Sequence, residues 1–131
     1  MPDCIRLRPD GTYDGKQGFT YNAGIATESV GSQAICMHLL TVPPGGRARA
    51  HKHATHETAI YMLSGHVVMY WGDRLQHRMD CTPGDLIYIP ADVPHLPFNA
   101  GTEPATAVIA RTDPNEQESV VLLPELEPMV P

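Results

Sequence analysis

Apolar residues along this chain recur in short runs, each stopped by a small cluster of Gly, Pro or Asp. The first run, 34–42, is halted by Pro43-Pro44-Gly45-Gly46. A second, 59–63, ends at Ser64-Gly65, and a third, 66–71, ends at Gly72-Asp73. A fourth, 86–89, lies between Pro83-Gly84-Asp85 and Pro90, and 105–111 and 119–123 complete the set. No window between these breaks keeps apolar residues at i, i+3, i+4 and i+7, so no helix is predicted. Short strands at even spacing with turn chemistry between them predict an all-β sandwich or barrel. The run 34–42 is apolar on both faces, with Ile35, Met37 and Leu39 on one and Cys36, Leu40 and Val42 on the other. Such a strand is covered twice. One cover is the barrel core, and the other suits a partner subunit, which predicts a homodimer.

A chain of 131 residues suits one domain over 1–131. Its barrel core is expected at about 34–123. Residues 1–33, polar and Gly-containing, read as an arm that wraps the barrel or supplies edge strands, and 124–131 as a loosely held tail. The net charge is −6 with only nine Lys and Arg, so no basic cluster neutralises phosphates and nucleic-acid binding is not expected. Most of the acid sits late in the chain, at Glu116, Glu118, Glu125 and Glu127, and reads as a solvated end. No apolar run approaches the ~18 residues of a membrane span, and Met1-Pro-Asp-Cys-Ile-Arg does not open a signal peptide, so a cytoplasmic protein is expected. The three cysteines form no CxxC. Cys36 and Cys81 sit among apolar residues and read as buried free thiols.

The chemistry gathers in His51-Lys-His53-Ala-Thr-His56-Glu57 and Pro94-His95. Side chains two apart on a strand share a face, so His51 and His53 suit two cis ligands of one metal. Glu57 follows after a turn, and His95 after the strand 86–89 and a Pro-bounded corner. Neutral imidazoles and a carboxylate suit a borderline divalent metal, and three or four protein ligands leave open positions for catalysis.

Gly45, five residues, His51, one residue, His53, three residues and Glu57 resemble the first motif of the cupin superfamily. Gly84, five residues, Pro90, then His95, three residues and Asn99 resemble the second. Tyr61-Met-Leu-Ser-Gly65 and Pro83-Gly-Asp-Leu-Ile-Tyr-Ile-Pro90 are also similar to that family, and the resemblance covers about 34–112. It implies a small jelly roll, or double-stranded β-helix barrel, with a metal held by His51, His53, Glu57 and His95. Two positions depart from the pattern. Asp92 stands where a glycine is usual, at a turn that Asp can fill. Counted back from Gly65, the family's carboxylate position is Thr58, and Glu57 falls one residue early. A one-residue offset in a strand reverses the face. Either a bulge turns Glu57 inward, or Glu57 faces out and His56, in phase with Thr58, is the alternative ligand.

Arg47 and Arg49 share the parity of His51 and His53, which would place both guanidinium groups as a clamp for a small organic acid. Tyr61, Tyr88, Trp71, Met62, Met69 and Phe98 offer an apolar lining, with Tyr61 and Tyr88 as candidate catalytic hydroxyls. His38, His66 and His77 have no motif support and read as strand-face or surface residues, with His38 also a candidate for the cavity. The resulting expectation is a metal-dependent enzyme acting on a small organic molecule, of dioxygenase type with iron favoured, where zinc, manganese or nickel also fits the ligands. Metal-dependent isomerase, decarboxylase or lyase chemistry is open to the same family. A non-catalytic ligand-binding or sensor protein is the alternative of a different class.

Overall fold

The computed structural model describes residues 3–117 and 119–131, so Met1, Pro2 and Glu118 lie outside the described residues. Among the described residues are eleven strands: β1 Thr12–Asp14, β2 Thr20–Ile25, β3 Cys36–Val42, β4 His51–His53, β5 Thr58–Ser64, β6 Val67–Trp71, β7 His77–Cys81, β8 Leu86–Ile89, β9 His95–Phe98, β10 Ala105–Arg111 and β11 Val120–Leu122. They form a six-stranded sheet in the order β1-β2-β3-β10-β5-β8 and a five-stranded sheet in the order β11-β4-β9-β6-β7. The two sheets face one another as a jelly roll. They do not close on every side, since β7 and β8 are each the edge of a sheet.

Alternation decides what each strand buries. β3 turns Cys36, His38, Leu40 and Val42 inward and leaves Met37 and Leu39 exposed. β10 turns Ala105, Ala107, Ile109 and Arg111 inward. β5 turns Thr58, Ile60 and Met62 inward, while Ala59, Tyr61 and Leu63 face out. The main core lies between the sheets and includes Phe19, Tyr21, Leu40, Met62, Met69 and Ile109. Phe19 and Tyr21 come from the N-terminal arm. There β1 and β2 extend the six-stranded sheet, β2 pairing antiparallel with β3.

The outer face of the five-stranded sheet has a cover of its own. Ala50, Leu75 and Leu96 pack with Leu126 and Val130. This corrects the loosely held tail: Pro124–Met129 forms a 3-10 helix, and Leu126 and Val130 are buried. Arg47 donates to the carbonyls of Glu127 and Pro131, and Glu127 accepts the Ala50 N–H at 2.7 Å. The outer face of the six-stranded sheet has no such cover among the described residues. There Leu39, Val108, Tyr61 and Leu86 pair side by side across β3, β10, β5 and β8.

Two turns are fixed by close approach or bonding. Gly65 has φ 82°, and a Cβ there would sit 2.5 Å from the Ala105 Cα. Asn99 is fully buried; its side-chain amide donates to the Val42 and Glu103 carbonyls, and its oxygen accepts the Gly101 N–H. Asp92 takes the left-handed φ of 67° expected at its turn and pairs with Lys52 at 2.7 Å. A four-residue helix, Thr27–Val30, was not expected, because one turn is too short for a periodic pattern.

Candidate metal centre

Three imidazoles converge on the inner face of the five-stranded sheet. β4 supplies His51 and His53, and β9 supplies His95 directly across from His51. One ligand nitrogen from each lies within 4.8 Å of the others. All three side chains are buried, at 2–3 % exposure. Ring centroids are 4.3 Å apart for His51 and His95, 4.9 Å for His53 and His95, and 5.1 Å for His51 and His53.

The surroundings prepare two of the rings for coordination. His51 Nδ1–H donates to the Arg49 carbonyl at 2.6 Å, and His95 Nδ1–H donates to the Val93 carbonyl at 2.9 Å. A carbonyl only accepts, so each ring carries its proton on Nδ1 and keeps the Nε2 lone pair for a metal. Burial, with like-charge repulsion from His95, lowers the His51 pKa to about 3. Burial also lowers His95 to about 4 and pushes His53 far down. All three rings are therefore neutral near pH 7, the form a metal takes. The donor set fits a divalent ion.

Glu57 is not part of this group, which corrects the expected four-ligand set. It lies outside β5 and is exposed, and Tyr88 Oη–H donates to its Oε1 at 2.6 Å. No bulge turns it inward, because Thr58 pairs with Arg111 and Ile89 in the regular ladder and takes the inward position. Thr58 is 3 % exposed, lines the cavity with the three imidazoles, and its Oγ1 has no hydrogen-bond partner among the described residues. A hydroxyl thus stands where the family pattern has a carboxylate. His56 is buried beside His53, with ring centroids 4.6 Å apart, but lies outside the three-imidazole group. Its Nδ1 is engaged with Ser119 Oγ at 3.1 Å and sits 3.7 Å from Asp113 Oδ2.

The arginine clamp expected from Arg47 and Arg49 is also corrected. Both are exposed, and they alternate with Ala48, which packs into the inner core. Ala50 then packs into the outer cluster and His51 faces inward, so the phase changes at the bend before β4. Tyr61 and Tyr88, the candidate hydroxyls, are 44 % and 60 % exposed on the outer side of the six-stranded sheet.

The arginine that does reach the interior is Arg111, at the end of β10. It is 3 % exposed and lines the same cavity as His51, His53 and His95. Its guanidinium carbon lies 5.1 Å from the centroid of the Tyr21 ring, and Nη1 lies 3.9 Å from Cys36 Sγ. Ala105, Ala107 and Ile109 set the phase that carries Arg111 inward, a signal present in the sequence. The inner cavity itself holds about 60 Å³.

A two-sheet β-fold with three buried imidazoles that could hold a metal ion defines a jelly roll as the class. The cupin domain profile matches residues 38–110, more than half of the chain, and the protein belongs to the cupin family. It is 32 % identical over 82 residues to the uncharacterized protein MJ1618 of Methanocaldococcus jannaschii, an alignment covering 63 % of each chain. The chain thus spans under two thirds of that relative's length. Among solved structures it resembles oxalate decarboxylase from Lactobacillus farciminis, with a TM-score of 0.70 and 20 % identity over 92 % of this chain and 36 % of that one. An oxalate oxidase gives 0.69 and 18 %, covering 83 % and 57 %. A sugar phosphate isomerase from Silicibacter pomeroyi gives 0.60 and 22 %, covering 76 % and 66 %. At these identities the likeness is one of fold.

Proposed function

We propose that this cupin is a metal-dependent enzyme acting on a small organic acid, with dioxygenase-type chemistry at an iron held by His51, His53 and His95. The observation that carries the reading is the convergence of three buried, neutral imidazole nitrogens within 4.8 Å. When bound, such an ion supplies Lewis acidity and, if it is iron, redox chemistry. The chain's own residues do the rest. Arg111 brings a guanidinium charge to the cavity wall that would attract a carboxylate, Thr58 offers a hydroxyl beside the imidazoles, and the apolar walls exclude water. The oxalate enzymes that share the fold act on a small acid, which agrees with this substrate class.

A second reading, non-redox isomerase, decarboxylase or lyase chemistry at zinc, manganese or nickel, is favoured by the outward position of Glu57. Three neutral ligands leave the full charge of the ion on a bound anion. We further infer a homodimer, formed through the uncovered apolar face that carries Leu39, Val108, Tyr61 and Leu86. The free thiols of Cys36 and Cys81 suit a reducing compartment such as the cytoplasm.

The test is elemental analysis of untagged protein, wild type and His95→Ala, followed by oxygen uptake with a panel of small organic acids. About one metal per chain, lost in the variant, is expected. Iron with acid-dependent oxygen uptake supports the dioxygenase, and turnover without oxygen supports the second reading. A stably folded protein without metal overturns both and leaves a ligand-binding cupin.

A further inference from the structure

The edge strands β7 and β8 belong to different sheets and do not pair with each other, and a second cavity of about 220 Å³ lies beside them. It is bounded by Trp71, Met79, Tyr88, Pro90, Val93 and His95. Four residues, Met69, Ile87, Ile89 and His95, line both this slot and the inner cavity. The slot therefore shares a wall with the metal centre, and that wall includes one of the three imidazoles. Trp71 pairs with His95 in the β6–β9 ladder, so its indole and the ligand belong to neighbouring positions of one sheet.

The slot's chemistry is apolar. Trp71 stacks on His77, with centroids 4.3 Å apart and planes 28° from parallel. Tyr88 spends its hydroxyl on Glu57. The imidazole of His95 is the group through which the slot meets the polar interior. Its volume exceeds the roughly 150 Å³ of an apolar cavity known to take up benzene. The inner cavity, at about 60 Å³, has room for only a few atoms beside Arg111 and the imidazoles.

We propose that the substrate has two parts: an anionic head of a few atoms at the three imidazoles and Arg111, and an apolar body the size of one ring in the slot between β7 and β8. This deepens the functional reading above and rests on it for the head. The substrate class is then a ring-bearing organic acid, and a bare two-carbon acid leaves the slot empty.

The chain has one tryptophan, Trp71, so its fluorescence reports on the slot without any turnover. Three probes divide the claim. Toluene, which has no head, is titrated into metal-free protein; acetate and phenylacetate are titrated into protein loaded with zinc. Toluene is expected to change Trp71 emission saturably. Phenylacetate is expected to bind on the order of 10–100-fold more tightly than acetate, the gain from burying one ring. Val93→Phe, which fills the slot, should abolish the toluene response and bring phenylacetate down to the level of acetate while metal content is kept. No saturable toluene response in the wild type, or equal affinity for acetate and phenylacetate, overturns the slot and leaves the metal reading standing. A saturable toluene response in protein that binds no zinc overturns the metal reading and leaves the slot standing.

Discussion

Acid should weaken the metal-free fold far more than the chain's modest charge suggests. His38, His51, His53 and His95 are each at most 3 % exposed. Burial is the largest cause of the lowered pKa at all four: His38 and His95 fall to about 4, His51 to about 3, and His53 lower still. In the unfolded chain each ring returns to its ordinary 6.5. As pH falls below that value the unfolded state takes up protons first, and stability falls with it. The contribution is fully present above about pH 7 and is lost progressively as pH falls, down to about pH 4 for His38 and His95, about pH 3 for His51 and lower still for His53. At pH 5.5, one unit below the unfolded value, the loss is about 1.4 kcal/mol per ring, or about 6 kcal/mol for the four. That is a large part of the roughly 5–15 kcal/mol that holds a domain folded. At about 3–5 °C per kcal/mol for a domain of this size, Tm should drop by roughly 20 °C between pH 7.5 and 5.5. Thermal unfolding of metal-free protein at the two pH values measures it, and His38→Gln should trim the drop by about a quarter. A drop of less than about 5 °C would refute the argument that these rings are held neutral by burial.

Glu57→Gln should leave metal content unchanged, whereas Thr58→Glu, which places a carboxylate inward, should tighten metal binding about tenfold or more; loss of metal in the first variant would return Glu57 to the ligand set. Arg111→Gln should weaken binding of a carboxylate probe about 10-fold to 100-fold by calorimetry with metal retained, and unchanged affinity would remove Arg111 from the site. Asn99→Ala deletes three hydrogen bonds at a fully buried position and should cost about 2–4 kcal/mol in denaturant unfolding. Tyr61→Glu puts a charge into the apolar row shared with Val108 and Leu86 and should convert the proposed dimer to monomer in sedimentation analysis; a wild type that is already monomeric sinks the proposal.

Strands with a strong hydrophobic pattern are legible in the sequence, and those with a weak pattern are not. β3, β5, β6, β8 and β10 lie close to the apolar runs from which they were expected. β7, with the sequence His77-Arg-Met-Asp-Cys81, carries only two apolar residues because it is an edge strand open to water on one side. β9 was obscured by Pro97 in its middle. The three histidines were legible because their spacing survives any loop geometry. Arg47 and Arg49 were misplaced because parity holds only within one unbroken strand, and the bend before β4 resets it; Glu57 was drawn inward by the family pattern alone, against the phase of β5, which the structure keeps. Arg111 could have been found, since its own strand is regular from Ala105 onward. The slot could not, because it lies beside β7 and β8, edge strands of different sheets that do not pair.

The strand that carries His51 and His53 is fastened on one side by β11 and, just ahead of it, by Glu127, whose side chain holds the Ala50 N–H across 77 residues of chain. On its other side lies β9, which follows more than forty residues later in the chain. During synthesis the two imidazoles emerge early, but the frame that sets their positions is made from segments that emerge late. The three imidazoles therefore reach their places only after long-range pairing has closed, and capture of the proposed ion would follow the folding of the site instead of nucleating it.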